Sequence, residues 1–344
     1  MSKDQRSLLS VASFSHALCH AYMLIFPVVL GSIKQEYGFS FLEVGSVGMI
    51  AYFCFGVGAI PAGLLIDRIG AKQMLTLGLF GMSLSSMAIS LTDSVPFLVT
   101  AMFFIGCFAS IHHPAALAMI SMTFKERKGK AFGIHAVGGL VGIASTPFIT
   151  GAILAQMNWR FPYLVFAVIG LITTLFALHV DSSDVVERRA PGPQVKLDNP
   201  FDTEHPKYFR LTFLLTCICS AIFGLIYRGT LTYLPTHFSQ NIGFLHDNTF
   251  WIGFLVTIVF GVGAFGQYYG GAISDWLKTK EYGTFLVFFL IIPFFLGMGV
   301  MTGMTLIAVS TFLSVLIFTF QPIQNYIIAN ATQERHRGLS YGVN

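Results

Sequence analysis

The sequence predicts an all-α membrane protein built of two related helical halves, and three observations carry that prediction. The first is composition: of 344 residues, 54% are hydrophobic and only 10% charged, too little polar surface for a water-soluble globule. The second is a succession of ten apolar stretches close to the ~20 residues that a helix needs to cross about 30 Å of hydrocarbon. The third is an internal repeat at an offset of about 208 residues.

The ten spans cover roughly 8–31, 44–66, 73–92, 96–122, 131–154, 161–180, 209–234, 250–274, 283–303 and 304–330. The first follows Lys3 and Arg6 as a signal peptide would, but no small-residue cleavage pattern follows Pro27, so it reads as a retained helix. Residues 181–208, rich in Pro and charge, cannot span and read as a linker. The organisation is therefore a six-helix bundle over 1–180, a cytoplasmic linker over 181–208 and a second bundle over 209–344. All five cysteines fall in apolar segments, which suggests neither a disulfide framework nor a clustered zinc site. A net charge of +4 gives no basis for a nucleic-acid partner.

Orientation follows from the placement of positive charge, which gathers on cytoplasmic loops. With the N-terminus inside, seventeen of the 20 Lys and Arg residues face the cytoplasm. Only Lys34 and Arg160 face outward, and Arg228 lies within a span. The expected location is the cell (inner) membrane, as a multi-pass monomer.

The repeat pairs Pro27 with Pro235, Gly45 with Gly253, Asp67 with Asp275 and Pro114 with Pro322. One residue of slippage later, Gly129 and Gly133 pair with Gly338 and Gly342. Halves with the same order of helices and an even number of crossings make a parallel repeat about an axis normal to the membrane. Asn344 pairs with His135, so the expectation is a twelve-helix plan whose second bundle stops after about four helices.

The loop after the second span, Gly63-Leu-Leu65-Ile-Asp67-Arg68-Ile-Gly70-Ala-Lys72, resembles the G-x-L-x-D-R-x-G-x-K motif of the major facilitator superfamily. It is echoed as Gly271-Ala-Ile-Ser-Asp275-Trp-Leu-Lys278 at the repeat spacing. The fifth span carries Gly142-Ile-Ala-Ser-Thr146-Pro147-Phe-Ile-Thr150-Gly151, similar to the superfamily's exporter motif, with Thr at two positions where Gly is usual. His16-Ala-Leu-Cys19-His20, His113-Pro114 and Gly138-Gly139 resemble the fosmidomycin-resistance group of bacterial exporters, which has Asn-Asp in place of Cys19-His20. The resemblance implies two pseudo-symmetric six-helix bundles and a transporter that works by alternating access, not an enzyme. It needs no cofactor, metal or catalytic residue.

Within the motif, Asp67 ends a helix beside the turn at Gly70. Its carboxylate, with Arg68 and Lys72, is expected to latch onto a neighbouring loop or helix end in one conformation and release in the other. Solvated loop charge is the plain alternative, and the second copy at Gly271, Asp275 and Lys278 weighs against it. Gly138 and Gly142 have the spacing that lets helices approach closely, Pro147 offers a kink, and Gly151 extends the small-residue face. Trp159 and Tyr163 read as interfacial anchors.

Polar groups at membrane depth are costly unless paired or hydrated, so they are the candidate site. Arg228, in Tyr227-Arg228, is the repeat partner of His20, and His16 shares a helix face with His20. The resemblance implies that spans one, four, seven and ten line a central cavity. This would gather His16, His20, His112 or His113, Arg228, Gln321, Gln324 and Asn325. All 16 acidic residues lie in tails, loops or helix ends, so no carboxylate is offered to Arg228 deep in the membrane. A guanidinium fork suits carboxylate or phosphate, and histidines change charge near neutral pH. The reading is a carrier of a small anionic solute, with His16, His20, His112 and His113 as proton-coupling candidates. The alternatives are a structural Arg228, packing histidines, efflux of lipophilic compounds, and a His-cluster metalloenzyme prompted by His16-x-x-x-His20 and His112-His113. The histidines lie deep and acid-free, which argues against the metalloenzyme. His135, His179 and His237 read as interfacial residues near helix ends.

Overall fold

A computed structural model of the chain describes residues 1, 3–124, 128–180, 206–246, 248–276 and 280–330. Among the described residues the architecture is entirely helical. The helices are α1 (Lys3–Tyr37), α2 (Phe41–Ile69), α3 (Ala71–Ser90), α4 (Val95–Thr123), α5 (Lys128–Leu154), α6 (Arg160–His179), α7 (Pro206–Asn241), α8 (Thr249–Trp276), α9 (Lys280–Val300) and α10 (Gly303–Asn330). A single 3-10 turn, Gly243–Leu245, precedes α8. Ten of these helices are long and apolar enough to cross a membrane. The expected linker falls mostly outside the described residues, since 181–205 are not among them.

Several helices outrun the spans that hydropathy marks. At 1.5 Å per residue, the 35 residues of α1 extend about 50 Å, well beyond a hydrocarbon core of about 30 Å. The joints show why the elements stop where they do. Gly38, at φ 66°, ends α1, and the Phe39 N–H reaches back to the Lys34 carbonyl at 3.0 Å, a Schellman closure. Two residues on, Ser40 caps α2: its hydroxyl accepts from the Glu43 N–H while the Glu43 carboxylate takes the Ser40 N–H at 2.8 Å. Between α2 and α3 the chain turns on Gly70 alone, at φ 108°. A side chain would be strained there.

By packing, the chain divides into two units: Met1–Ala190 with Asn248–Thr257, and Pro191–Asp247 with Ile258–Asn344. Asn248–Thr257, at and just before the start of α8, group with the first unit. In the first unit α1 packs mainly on α5 and α6, α2 on α4, and α3 on α4 and α6. Its core holds Tyr22, Phe26, Ile33, Met82, Ile105 and Tyr163. The Tyr22 hydroxyl ties three helices, donating to the Phe166 carbonyl at 2.8 Å and lying 2.9 Å from Ser83 Oγ. The second unit is centred on Phe223, Ile291, Leu313, Ile317 and Phe320, where α7, α9 and α10 meet.

Trp159 and Tyr163 correct the sequence expectation. Both are buried inside the first unit, at 2% and 0% exposure, rather than standing as interfacial anchors. The indole N–H of Trp159 donates to Glu36 Oε2 at 2.6 Å, and Arg160 grips the same carboxylate through two nitrogens at 2.6 and 3.0 Å. The Arg160 Nε–H also donates to the Thr92 carbonyl at 2.7 Å, so the start of α6 is fastened to the end of α1 and the loop before α4. The Trp159 ring turns inward because the Glu36 carboxylate at the end of α1 meets its N–H there.

Candidate functional site

Five imidazoles from three helices of the first unit converge on one point. His16 and His20 come from α1, one turn apart; His112 and His113 come from α4; His135 comes from α5. His16 is the hub: ring centroids lie 4.2 Å away for His135, 4.8 Å for His20, 4.9 Å for His113 and 5.1 Å for His112. The His135 ring stacks nearly parallel to it, at 15°. His135 thus corrects a second expectation: it is 2% exposed and part of the cluster, not interfacial.

Glycines make the approach possible. A Cβ on Gly138 or Gly142 would collide with the backbone of Ser13 or Ala17, so α5 lies directly against α1. One on Gly139 would press against the His16 ring, 2.4 Å from Cε1, 2.6 Å from Nε2 and 2.7 Å from Nδ1. On α4, Pro114 removes the N–H that would bond the Ser110 carbonyl, one turn before it, next to the paired histidines. Across from α4, Gly58 of α2 makes room for the Ser110 side chain.

The proton positions on α1 follow from the partners. His16 Nδ1 lies 2.8 Å from the His135 carbonyl oxygen, which only accepts, so Nδ1 carries a hydrogen. In the neutral ring Nε2 is then bare, and His20 Nε2, 3.1 Å away, donates to it. His112 differs: it is 1% exposed and neither ring nitrogen has a hydrogen-bond partner. Leaving such a group unsatisfied costs about 1–3 kcal/mol. Two triads, His16/His20/His113 and His16/His112/His135, place one nitrogen from each ring within 4.8 Å of the others.

The other expected residues sit as follows. In the second unit, the Arg228 guanidinium lies 5.3 Å from the Tyr227 ring on α7. Tyr227 in turn stacks on Phe223 and meets Phe318 edge-on, and Gln324 of α10 donates to Ser220 of α7. The side chains of Gln321, Asn325, Asp67 and Asp275, and Lys278 altogether, lie outside the described residues; Gly271 falls on α8. In the motif loop Gly63 has open space around it and Arg68 is exposed. Lys72 does something sequence reasoning missed: its ammonium donates to the carbonyls of Leu178, at 3.2 Å, and of Val180, closing the C-terminal end of α6. On α5, Gly151 meets Gly253 of α8 within the first unit, and the Phe148 N–H, next to Pro147, donates to Thr257 Oγ1 at 2.9 Å. His179 bonds the Leu175 carbonyl at 2.7 Å and His237 the Met298 carbonyl at 2.8 Å.

Ten helices long and apolar enough to cross a membrane, with a polar cluster where three of them meet, define a polytopic membrane protein. The chain matches the Major Facilitator Superfamily over residues 10–344 and belongs to that family. It is 24% identical over 258 residues to the "Probable L-galactonate transporter" of Escherichia coli (strain K12), covering 72% of this chain and 56% of that protein. To the "Tetracenomycin C resistance and export protein" of Streptomyces glaucescens it is 30% identical over 163 residues, 46% of this chain and 30% of that one. The chain thus spans little more than half the length of the first of these relatives and less of the second. Its fold is that of a solved bacterial homologue of the human lysosomal transporter Spinster, in an inward-facing, unoccupied conformation. The TM-score is 0.83 at 15% identity, over 100% of this chain and 79% of that one. These likenesses establish the superfamily and its fold, and they are to transporters, not enzymes. They reach the superfamily level and not the fosmidomycin-resistance subgroup.

Proposed function

We propose that the protein is a secondary transporter that moves a small organic anion across the cell (inner) membrane by alternating access, with a proton as the coupled ion and the N-terminus in the cytoplasm. The observation that carries this reading is the sign of the charge inside the spans. Arg228, permanently cationic, sits well within α7, whereas all 16 acidic residues of the sequence lie in loops, tails or helix ends. A positive field in apolar surroundings favours anions and opposes cations. Its planar fork suits a carboxylate or phosphate group. The relative named for L-galactonate, a sugar acid, supports the same class of solute. The histidine cluster supports proton coupling, because imidazoles exchange protons near neutral pH.

In this reading Arg228, with Tyr227, Gln324 and the neighbouring Gln321 and Asn325, receives the solute, and His16, His20, His112 and His113 hold the proton. The 181–208 segment joins two functional halves, and the motif at Asp67 and Asp275 governs the switch between conformations. Likeness of His16, His20, His113, Pro114, Gly138 and Gly139 to the fosmidomycin-resistance exporters supports export as the direction. A second reading, efflux of lipophilic compounds, is favoured by the tetracenomycin relative.

The test is proton and solute flux in proteoliposomes, with sugar acids and lipophilic cations as paired candidates. Arg228→Gln is expected to abolish sugar-acid flux while the protein keeps its elution profile and unfolding midpoint. Undiminished anion flux in the variant overturns the anion reading, and cation flux that survives it supports the second.

A further inference from the structure

We propose that the histidine cluster of the first unit is a binding site for a borderline divalent transition metal of the zinc class, with His16, His20 and His113 as ligands. The sequence expectation was no metal, on the ground that the histidines lie deep and without acids. Their convergence from α1 and α4 changes the question, since one nitrogen from each of His16, His20 and His113 already lies within 4.8 Å of the others.

Three features point to a metal rather than to packing. His16 is oriented as a ligand: its Nδ1–H is held by the His135 carbonyl at 2.8 Å, leaving the Nε2 lone pair to face the cluster. A backbone carbonyl on the far nitrogen is the arrangement that fixes the ring and raises basicity in metal-bound histidines. His20 Nε2 stands 3.1 Å from that lone pair. Two nitrogens on a tetrahedral ion with bonds of 2.0–2.1 Å are separated by about 3.3 Å, so an ion replaces the shared hydrogen with little movement. The rings of His16, His20 and His113 are tilted at 40°, 88° and 60° to one another, a tripod rather than a stack.

The chemistry of the donors selects the ion. Neutral imidazoles without a carboxylate suit Zn²⁺, Co²⁺, Ni²⁺ and Cu²⁺ and give Mg²⁺ or Ca²⁺, which require oxygen ligands, nothing to hold. His20 and His113 are only half-buried, so the tripod keeps an accessible side, whereas the His16/His112/His135 set is closed.

The experiment is a Co²⁺ titration of the purified chain, carrying no polyhistidine tag, followed by visible absorption, with Zn²⁺ as competitor. Saturation at one equivalent, with the intense bands of four- or five-coordinate Co²⁺ displaced by Zn²⁺, is expected. His16→Gln is expected to abolish it, and His20→Gln and His113→Gln each to weaken it at least tenfold. His179→Gln, outside the cluster, is expected to leave it unchanged. No saturable binding, only the weak bands of hydrated Co²⁺, or binding undiminished in His16→Gln overturns the proposal. Should His16→Gln fail to fold, the two variants at the half-buried edge decide it in the same way. Because binding is read without transport, the result is independent of the anion reading; a metal on these lone pairs would displace the proton that the proposed function places on the same histidines, so saturable binding counts against that part of the reading alone.

Discussion

Gly139→Ala is the sharpest probe of the cluster, because the structure states what the added methyl meets. It would lie 2.6 Å from Nε2 and 2.7 Å from Nδ1 of His16, whereas carbon and its neighbours settle at about 3.5–4.0 Å. The ring must therefore retreat by about 1 Å. It has nowhere to go, since His135 is stacked 4.2 Å away and His20, His112 and His113 crowd the remaining sides. Retreat breaks the bond to the His135 carbonyl, worth about 0.5–1.5 kcal/mol net. Overpacking adds about 1–3 kcal/mol. The expected loss is about 2–4 kcal/mol in a reversible detergent-unfolding titration. The control is Gly31→Ala, also helical but with open space around it. That change is expected to be neutral or to stabilise by up to about 1 kcal/mol, through the less flexible unfolded chain. If Gly139→Ala unfolds within about 0.5 kcal/mol of the parent, the packing of α5 against His16 is not as described.

Three further outcomes follow from other parts of the fold. A double-mutant cycle of Glu36→Gln and Arg160→Gln, read by the same titration, is expected to give a coupling of about 1 kcal/mol, because the pair is bidentate and partly shielded; zero coupling would remove the clasp from the account. Gly70→Ala places a side chain at φ 108° and is expected to cost about 1–3 kcal/mol in unfolding, with no comparable loss for Gly63→Ala, which has open space. Arg228→Gln is expected to spare folding and end anion flux, as measured in proteoliposomes.

Much of the architecture was legible without coordinates because its causes are local. Length, apolarity and a turn residue suffice to mark a membrane helix, and the Gly70 turn and the Ser40–Glu43 cap are written in adjacent residues. The motif with its second copy likewise carries the superfamily's resemblance in adjacent residues. His16 and His20 were paired by helical period alone. His135 was misjudged because it stands near the start of an apolar run, and proximity to a run's end says nothing about what packs beside it. The same error applied to Trp159 and Tyr163: the Glu36 carboxylate at the end of α1 takes the indole N–H, and the Tyr163 ring packs into the core of the first unit.

The amino-acid sequence by itself determined how many helices cross, that they form two related sets, and that positive charge outweighs negative inside the spans. All of these depend on residue type and on separation along one helix. Only the tertiary structure decided which side chains meet across helices. The five-histidine cluster, the seat of His16 on Gly139 and the closure of α6 by Lys72 join segments tens to more than a hundred residues apart. No local pattern encodes such meetings, because they arise from the depth and rotation at which whole helices pack.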